Sequence, residues 1–274
     1  MMNQSRRDFI KHISSASLVL LGGNVINLTP ADAADLRKGS SLRFVVASDG
    51  HYGQQGTESD LFYQTLVKHV KDFNAKHKLD FCVINGDIIH DEKSLLVPAK
   101  KHLDSLPVKY YVTKGNHDRV SNDQWNEVWG MPVNHEVQLK ENTLLLANTS
   151  NEAGDYLSPD LDWMKSKLEA NKKQTNIFIF IHIPQAKWTK NGIDTPAFFE
   201  MLKQYKNVRG VFHGHEHDQD GVKTVNNLPF MFDSHFGGSW GTSYRGFRVV
   251  EVVKQKSFLT YIMNPTEKIN QVSF

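Results

Sequence analysis

Cysteine is almost missing from this 274-residue chain: the single one, Cys82, lies inside the apolar run Phe81-Cys82-Val83-Ile84. One cysteine forms no intramolecular disulfide, so a disulfide scaffold is excluded, and in that setting the thiol reads as a small buried core group. A surplus of either charge is missing too, because 32 Lys and Arg stand against 30 Asp and Glu. Non-specific nucleic-acid binding needs Lys and Arg in excess on one face, so no nucleic-acid partner is expected. Long apolar runs are also lacking. The longest uncharged stretch, residues 13–31, is diluted by Ser14, Ser15, Ser17, Gly22, Gly23, Asn24 and Asn27. A membrane-spanning helix needs roughly 18 or more consecutive apolar residues, so no stable span is expected. No internal repeat or low-complexity tract occurs, and no linker beyond residues 34–40.

What is present supports a folded domain. Hydrophobic residues make up 39% and charged residues 23%, enough for a core and too little net charge for disorder. The length suits one large α/β domain better than two. Histidine stands out at 13 copies, most of them in polar clusters between apolar runs.

The first residues read as an address. Ser5-Arg6-Arg7-Asp8-Phe9-Ile10-Lys11 is followed by the diluted apolar stretch and by Ala31-Asp32-Ala33. A positive start, a moderate apolar stretch and a small-x-small end make an export signal, with cleavage expected after Ala33. The paired arginines resemble a twin-arginine signal, which implies the twin-arginine translocation machinery as a partner during export and a periplasmic or secreted product. No cysteine lies near the cleavage point, which excludes lipid attachment there. The expected division is a signal peptide at 1–33, a short linker at 34–41 and one domain at 42–274; without the leader the chain is essentially neutral.

Beyond residue 41 strand and helix patterns alternate. Leu42–Ser48, Phe81–Asn85, Lys109–Thr113, Ile177–Ile181 and Val208–Phe212 read as buried strands. Ser59 is expected to cap a helix carrying Leu61, Phe62, Leu66, Val70 and Phe73, and another helix is expected within Lys93–Leu106. Ser158-Pro159 and Thr195-Pro196 are expected to open two more, with proline in the first turn. Four β-like runs then follow without helices: Val222–Val225, Phe230–Asp233, Gly246–Val253 and Phe258–Met263. The pattern predicts a layered α-β-β-α sandwich with mixed sheets.

The polar clusters fall at the strand ends. Asp49-Gly50-His51 follows the first strand, Gly86-Asp87 the second and Gly115-Asn116-His117-Asp118 the third; His182 ends the fourth, and His213-Gly214-His215-Glu216-His217 closes the fifth. In open α/β sheets ligands bind beyond the carboxyl ends of the strands. Asp49, His51, Asp87, Asn116, His182, His215 and His217 offer two carboxylates, four imidazoles and one amide. That mixed oxygen and nitrogen set suits Zn, Mn, Fe or Ni, and is too rich in nitrogen for Ca or Mg alone. Seven ligands are too many for one structural zinc but fit two divalent or mixed-valence ions sharing a carboxylate.

These five motifs, in this order, resemble the calcineurin-like metallophosphoesterase family: D-x-H, G-D, G-N-H-[DE], H and G-H-x-H. The resemblance spans roughly residues 42–263. It implies that Asp49, His51 and His217 hold a first metal, that Asn116, His182 and His215 hold a second, and that Asp87 bridges them. It further implies a hydroxide shared by the ions as nucleophile, His117 as acid or charge stabiliser, and Asp118 as the carboxylate orienting His117. Because His51 is present and His90 stands three residues after Asp87, where purple acid phosphatases carry tyrosine, the chain looks more like the branch containing class III cyclic-nucleotide phosphodiesterases. The activity implied is an exported hydrolase of phosphate mono- or diesters. A nuclease would need a basic track that the neutral charge does not supply, and a binding scaffold would be expected to have lost ligands, of which none is missing.

Three further residues are candidates for substrate binding: His90, beside Asp91; Trp240, for stacking on a ring; and Arg245, for phosphate. The last two lie in a glycine-rich aromatic stretch that also contains His235, Gly237, Gly238 and Tyr244. His213, outside the ligand pattern, is expected to be a packed or supporting histidine. Loops around 52–58, 151–157 and 236–245 are expected to set the substrate.

Overall fold

The computed structural model describes residues 16–19, 25–28, 40–253 and 258–264. Its elements, in chain order, begin with β1 (Ala16–Val19), β2 (Val25–Leu28), β3 (Leu42–Ala47), α1 (Ser59–Lys76), β4 (Phe81–Asn85), α2 (Leu96–Leu103) and β5 (Tyr110–Thr113). There follow α3 (Asn122–Trp129), β6 (His135–Leu139), β7 (Asn142–Leu146), α4 (Leu161–Ala170), β8 (Asn176–Phe180), α5 (Pro196–Leu202) and β9 (Val208–His213). The chain continues with β10 (Val222–Val225), β11 (Leu228–Phe232), β12 (Phe247–Val252) and β13 (Phe258–Met263).

Alternation along the buried strands produces the layers, since successive side chains point to opposite faces of a sheet. From β3, Phe44 and Val46 face Phe178, Phe180 and Phe212 of the other sheet, with the Phe44 ring stacked 4.7 Å from Phe81. Val45 and Ala47 face the other way, onto Tyr63, Leu66 and Val70 of α1 and Trp125 of α3. The second sheet repeats the arrangement. Leu145, Ile177 and Ile179 pack under Met164 and Leu168 of α4 and Phe198 of α5. The result is the expected α-β-β-α sandwich.

One sheet has the order β2-β1-β13-β12-β3-β4-β5 and the other β10-β11-β9-β8-β7-β6. β3, β4 and β5 are parallel to one another, as are β7, β8, β9 and β11. The loops that carry the polar motifs therefore leave the ends of the central parallel strands. The β-rich tail divides between the sheets: β10 and β11 extend the second, while in the first β12 runs antiparallel beside β3 and β13 antiparallel beside β12.

Local chemistry moved two boundaries. Glu58, not Ser59, occupies the N-cap position of α1 but makes no side-chain cap, and the Ser59 hydroxyl instead accepts the Gly53 amide at 2.9 Å. α4 starts at Leu161, after Ser158-Pro159, because Asp160 accepts the Trp163 amide and is the cap. α3 and the β6–β7 hairpin have no counterpart in the sequence reading, although Ser121 and Gln124 form a capping box. α5 does begin at Pro196.

β1 and β2 fall within the stretch read as an export signal, and form a hairpin against β13. The twin arginines and the Ala31-Asp32-Ala33 end lie outside the described residues, as do 254–257 and 265–274. Among the described residues, no helix is long and apolar enough to cross a membrane.

Candidate metal centre

The loops after β3, β4 and β9 turn sharply as soon as the strand ends. Asp49, His51, Asp87 and His215 all have positive φ, at 59°, 45°, 49° and 71°. Non-glycine residues adopt this region at a cost and persist there where surrounding contacts hold them. The holding contacts are visible: the Asp49 amide donates to the Gly86 carbonyl at 3.1 Å, and the His51 amide to the Asp87 carbonyl at 2.9 Å. Gly86, at φ 87°, has no room for a side chain, since a Cβ would lie 2.4 Å from Nδ1 of His182.

These turns gather two groups of donor atoms, each within 4.8 Å of one another: Asp49, His51 and His217, and Asp87, His182 and His215. Asp87 reaches both groups, its Oδ2 lying 3.2 Å from Nε2 of His182 and 3.7 Å from Nε2 of His51. Nε2 of His51 and Nε2 of His217 face each other at 2.9 Å, and Oδ1 of Asp49 lies 3.2 Å from the latter. Asn116 Oδ1 and His215 Nε2 are buried without a hydrogen-bond partner. Leaving buried polar atoms unpaired is costly, so an unpaired His215 Nε2 grouped with the Asp87 carboxylate fits a site for cations. The donor set is the mixed one that borderline divalent ions favour.

Other contacts set the ring tautomers. His182 Nδ1 lies 2.7 Å from the Asn85 carbonyl, and His217 Nδ1 3.1 Å from the Trp240 carbonyl. Each contact places the proton on Nδ1 and leaves Nε2 as a lone-pair donor. His51 Nδ1 is 2.9 Å from Nδ1 of His90. The Asp49 carboxylate accepts from the His215 amide and the Ser48 hydroxyl.

The electrostatics call for positive charge. Burial alone would raise Asp49, but His217 and His182 outweigh it and bring it to about 2. Asp87 is likewise held low against its burial by His182 and His51. Burial would lower His182, yet Asp87 and Asp49 hold it up at about 10. Burial pushes His51 down to about 3 and His215 to about 4. A proton on His182 and a metal ion thus compete to neutralise the same two carboxylates.

The remaining candidates fall around this centre, with two departures. Asp118 does not orient His117: its oxygens accept the Ile89 and Gly115 amides, and burial followed by Asp87 raises it to about 7. The carboxylate on the His117 ring is Asp91, whose Oδ1 lies 2.9 Å from Nδ1. Arg245 is held by its own loop and by α1: its guanidinium covers the Phe62 ring at 4.0 Å and donates to the Gly238 carbonyl at 2.7 Å. His90 stacks on His117 with ring centres 4.8 Å apart. His217 is stacked by Trp240 and His235, at 4.2 and 5.0 Å. Gly241 makes this packing possible, since a Cβ there would meet the Cβ of His217 at 2.5 Å. His213 packs among Trp188, Phe230 and Phe232 and is in neither donor group.

Two residues absent from the sequence reading sit at the mouth. Arg119 Nε is 3.0 Å from Asp91, and Tyr156 sets its ring edge-on to His215 at 4.7 Å. Arg119 directly follows the Gly115–Asp118 motif and Tyr156 lies in a loop already singled out, which were the available signals.

Solved structures share this fold at low sequence identity. A dimetal phosphatase from Danio rerio aligns with a TM-score of 0.67 and 14% identity, over 84% of this chain and 98% of that one. GAP50 of Plasmodium, described as the anchor in the inner membrane complex, aligns at 0.61 and 16%, over 85% and 90%. The calcineurin-like phosphoesterase YfkN of Bacillus subtilis aligns at 0.55 and 13%, over 86% and 94%. No curated protein matches the chain by sequence. The family model that matches is the calcineurin-like phosphoesterase model, over residues 42–219. With that match and the two donor groups at its strand ends, the chain belongs to the calcineurin-like phosphoesterase family and is a metal-dependent phosphoric ester hydrolase.

Proposed function

We propose that the protein is an exported phosphoesterase that hydrolyses phosphate mono- or diesters at a dinuclear centre. Asp49, His51 and His217 would hold one ion, Asn116, His182 and His215 the other, and Asp87 both. The observation that carries this reading is the gathering of Asp49, His51 and His217 and of Asp87, His182 and His215 into two groups of donor atoms, with the Asp87 carboxylate near both and His215 Nε2 buried without a partner. A bound ion pair supplies Lewis-acid charge to the phosphoryl oxygens and activates the attacking water.

The protein's own groups do the rest. His117 gives a proton to the leaving oxygen, and Asp91, paired with its Nδ1, keeps the ring in the tautomer and orientation for that transfer. Arg119 neutralises Asp91 and adds positive charge at the mouth. The buried amides at Gly115 and Ile89 tie Asp118 into the loop, so that Asp118 shapes the turn carrying Asn116 and His117. The D-x-H form with His51, and His90 in place of tyrosine, support the branch that contains class III cyclic-nucleotide phosphodiesterases. Export rests on Arg6-Arg7 and the leader that follows.

Elemental analysis combined with hydrolysis of an aryl phosphate ester tests the reading. The protein is expected to carry close to two ions, and Asp87→Ala to disturb both because that carboxylate reaches both donor groups. Full metal content in Asp87→Ala, or no turnover in protein loaded with each of Mn, Fe, Zn and Ni, would overturn it.

A further inference from the structure

Large aromatic rings are usually removed from water, and a cluster left exposed marks a surface that meets something else. Among the described residues five large hydrophobic side chains are exposed: Leu61, Val97, Tyr156, Leu157 and Trp240. Two of the five, Tyr156 and Trp240, touch histidines of the donor groups. Trp240, 44% exposed, lies flat on His217 at 4.2 Å and 9°, and leans over His51 at 4.8 Å. Tyr156, 38% exposed, stands edge-on at 82° to His215. His217 and His215 belong to different donor groups. Each donor group therefore has a histidine touched by an exposed aromatic ring.

The Trp240 platform is braced. His217 is stacked from a second side by His235, and its Nδ1 is held by the Trp240 carbonyl. Arg245 ties the Gly238 carbonyl to the Phe62 ring, and Gln54 donates to the Ser239 hydroxyl at 3.0 Å. A braced ring with an open face binds a flat partner with little ordering cost.

We propose that Trp240 and Tyr156 form a subsite for a flat aromatic or heteroaromatic ring carried by the leaving group of the phosphate ester. This deepens the phosphoesterase reading and rests on it. The shared chemistry is a π-face a few bonds from phosphorus, which a nucleotide or a simple aryl ester would supply. Stacking on an aromatic side chain tolerates many rings, and its removal by alanine costs on the order of tenfold or more in binding.

The test uses the full-length, metal-loaded protein with adenosine monophosphate, phenyl phosphate and glycerol phosphate, in wild type, Trp240→Ala, Trp240→Phe and Tyr156→Ala, with metal content measured for each. Binding of phenylphosphonate and ethylphosphonate by calorimetry adds a readout independent of turnover. Wild type should prefer the ring-bearing esters. Trp240→Ala and Tyr156→Ala should lower that preference about tenfold each, mainly through KM, with weakened phenylphosphonate binding. Trp240→Phe should keep most of it. Preference for adenosine monophosphate over phenyl phosphate would point to nucleotides, and the reverse to simpler aryl esters; either supports the subsite. Wild type cleaving glycerol phosphate as well as the others, or variants losing all three activities equally, would overturn the subsite while leaving the phosphoesterase reading intact. Failure to cleave any ester and to bind either phosphonate would remove the phosphoesterase reading itself.

Discussion

Nδ1 of His117 lies 2.9 Å from Oδ1 of Asp91, a residue held at φ 64° on the loop after β4. That pairing leaves Nε2 of His117 for the leaving oxygen. His117→Ala should retain metal and lose roughly 10²–10⁴-fold in turnover, less for good leaving groups. Asp91→Asn keeps the shape but not the charge and should cost about 10–100-fold, as for other groups that orient a histidine. A plot of log kcat against leaving-group pKa checks both. A larger change of slope in Asp118→Asn than in Asp91→Asn would reverse the assignment.

His213 is fully buried among aromatic rings, with neither ring nitrogen hydrogen-bonded. Burial, helped by His182 and His215, pushes it down to about 3. Its folded value is below the unfolded value of about 6.5, so the unfolded chain binds the proton more readily. Its contribution to stability is therefore whole above pH of about 6.5 and is lost as pH falls from there toward the folded value. His213→Phe fits the same aromatic setting and removes the unpaired nitrogens. It should raise Tm, and by more at pH near 5 than at pH near 8. Equal melting shifts at both pH values, at matched metal content, would show that His213 is not the titrating group.

Arg245 braces the Trp240 loop through the Gly238 carbonyl and the Phe62 ring. A cation–π contact contributes about 0.5–1 kcal/mol and a hydrogen bond about 1 kcal/mol, so Arg245→Ala should loosen the loop modestly. The expected result is a similar drop in kcat/KM for a monoester and a diester sharing one leaving group. A phosphate-binding arginine would penalise the dianionic monoester more, and that outcome in steady-state kinetics would restore the phosphate role.

Export should require Arg6 and Arg7. The twin-arginine route carries folded proteins, so the metal can be chosen in the cytoplasm. There free copper and zinc are scarce, and a weaker-binding ion such as Mn or Fe can win a mixed nitrogen and oxygen site. Fractionation of the Arg6→Lys, Arg7→Lys double variant should find the protein retained inside. Normal arrival in the periplasm or medium would sink both the signal assignment and the metal-selection argument.

By itself the sequence determined the strand ends and what stands on them. Buried parallel strands read as β-branched and aromatic runs, and a polar residue beside glycine directly after such a run has few structural uses. That is why Asp49, His51, Asp87, His182, His215 and His217 could be picked out as residues that the fold gathers, and why Pro196 marked the start of α5. Tertiary structure alone decided which carboxylate meets His117. Asp91 and Asp118 both lie close to the motifs, and only the turn that commits Asp118 to the amides of Ile89 and Gly115 leaves Asp91 for the ring. It also decided where Arg245 points, because Phe62 on α1 is remote in the chain and next to it in space. The exposed rings of Trp240 and Tyr156 follow the same logic. Loops have no periodicity to betray their direction, and their side chains are placed by contacts between segments far apart along the chain.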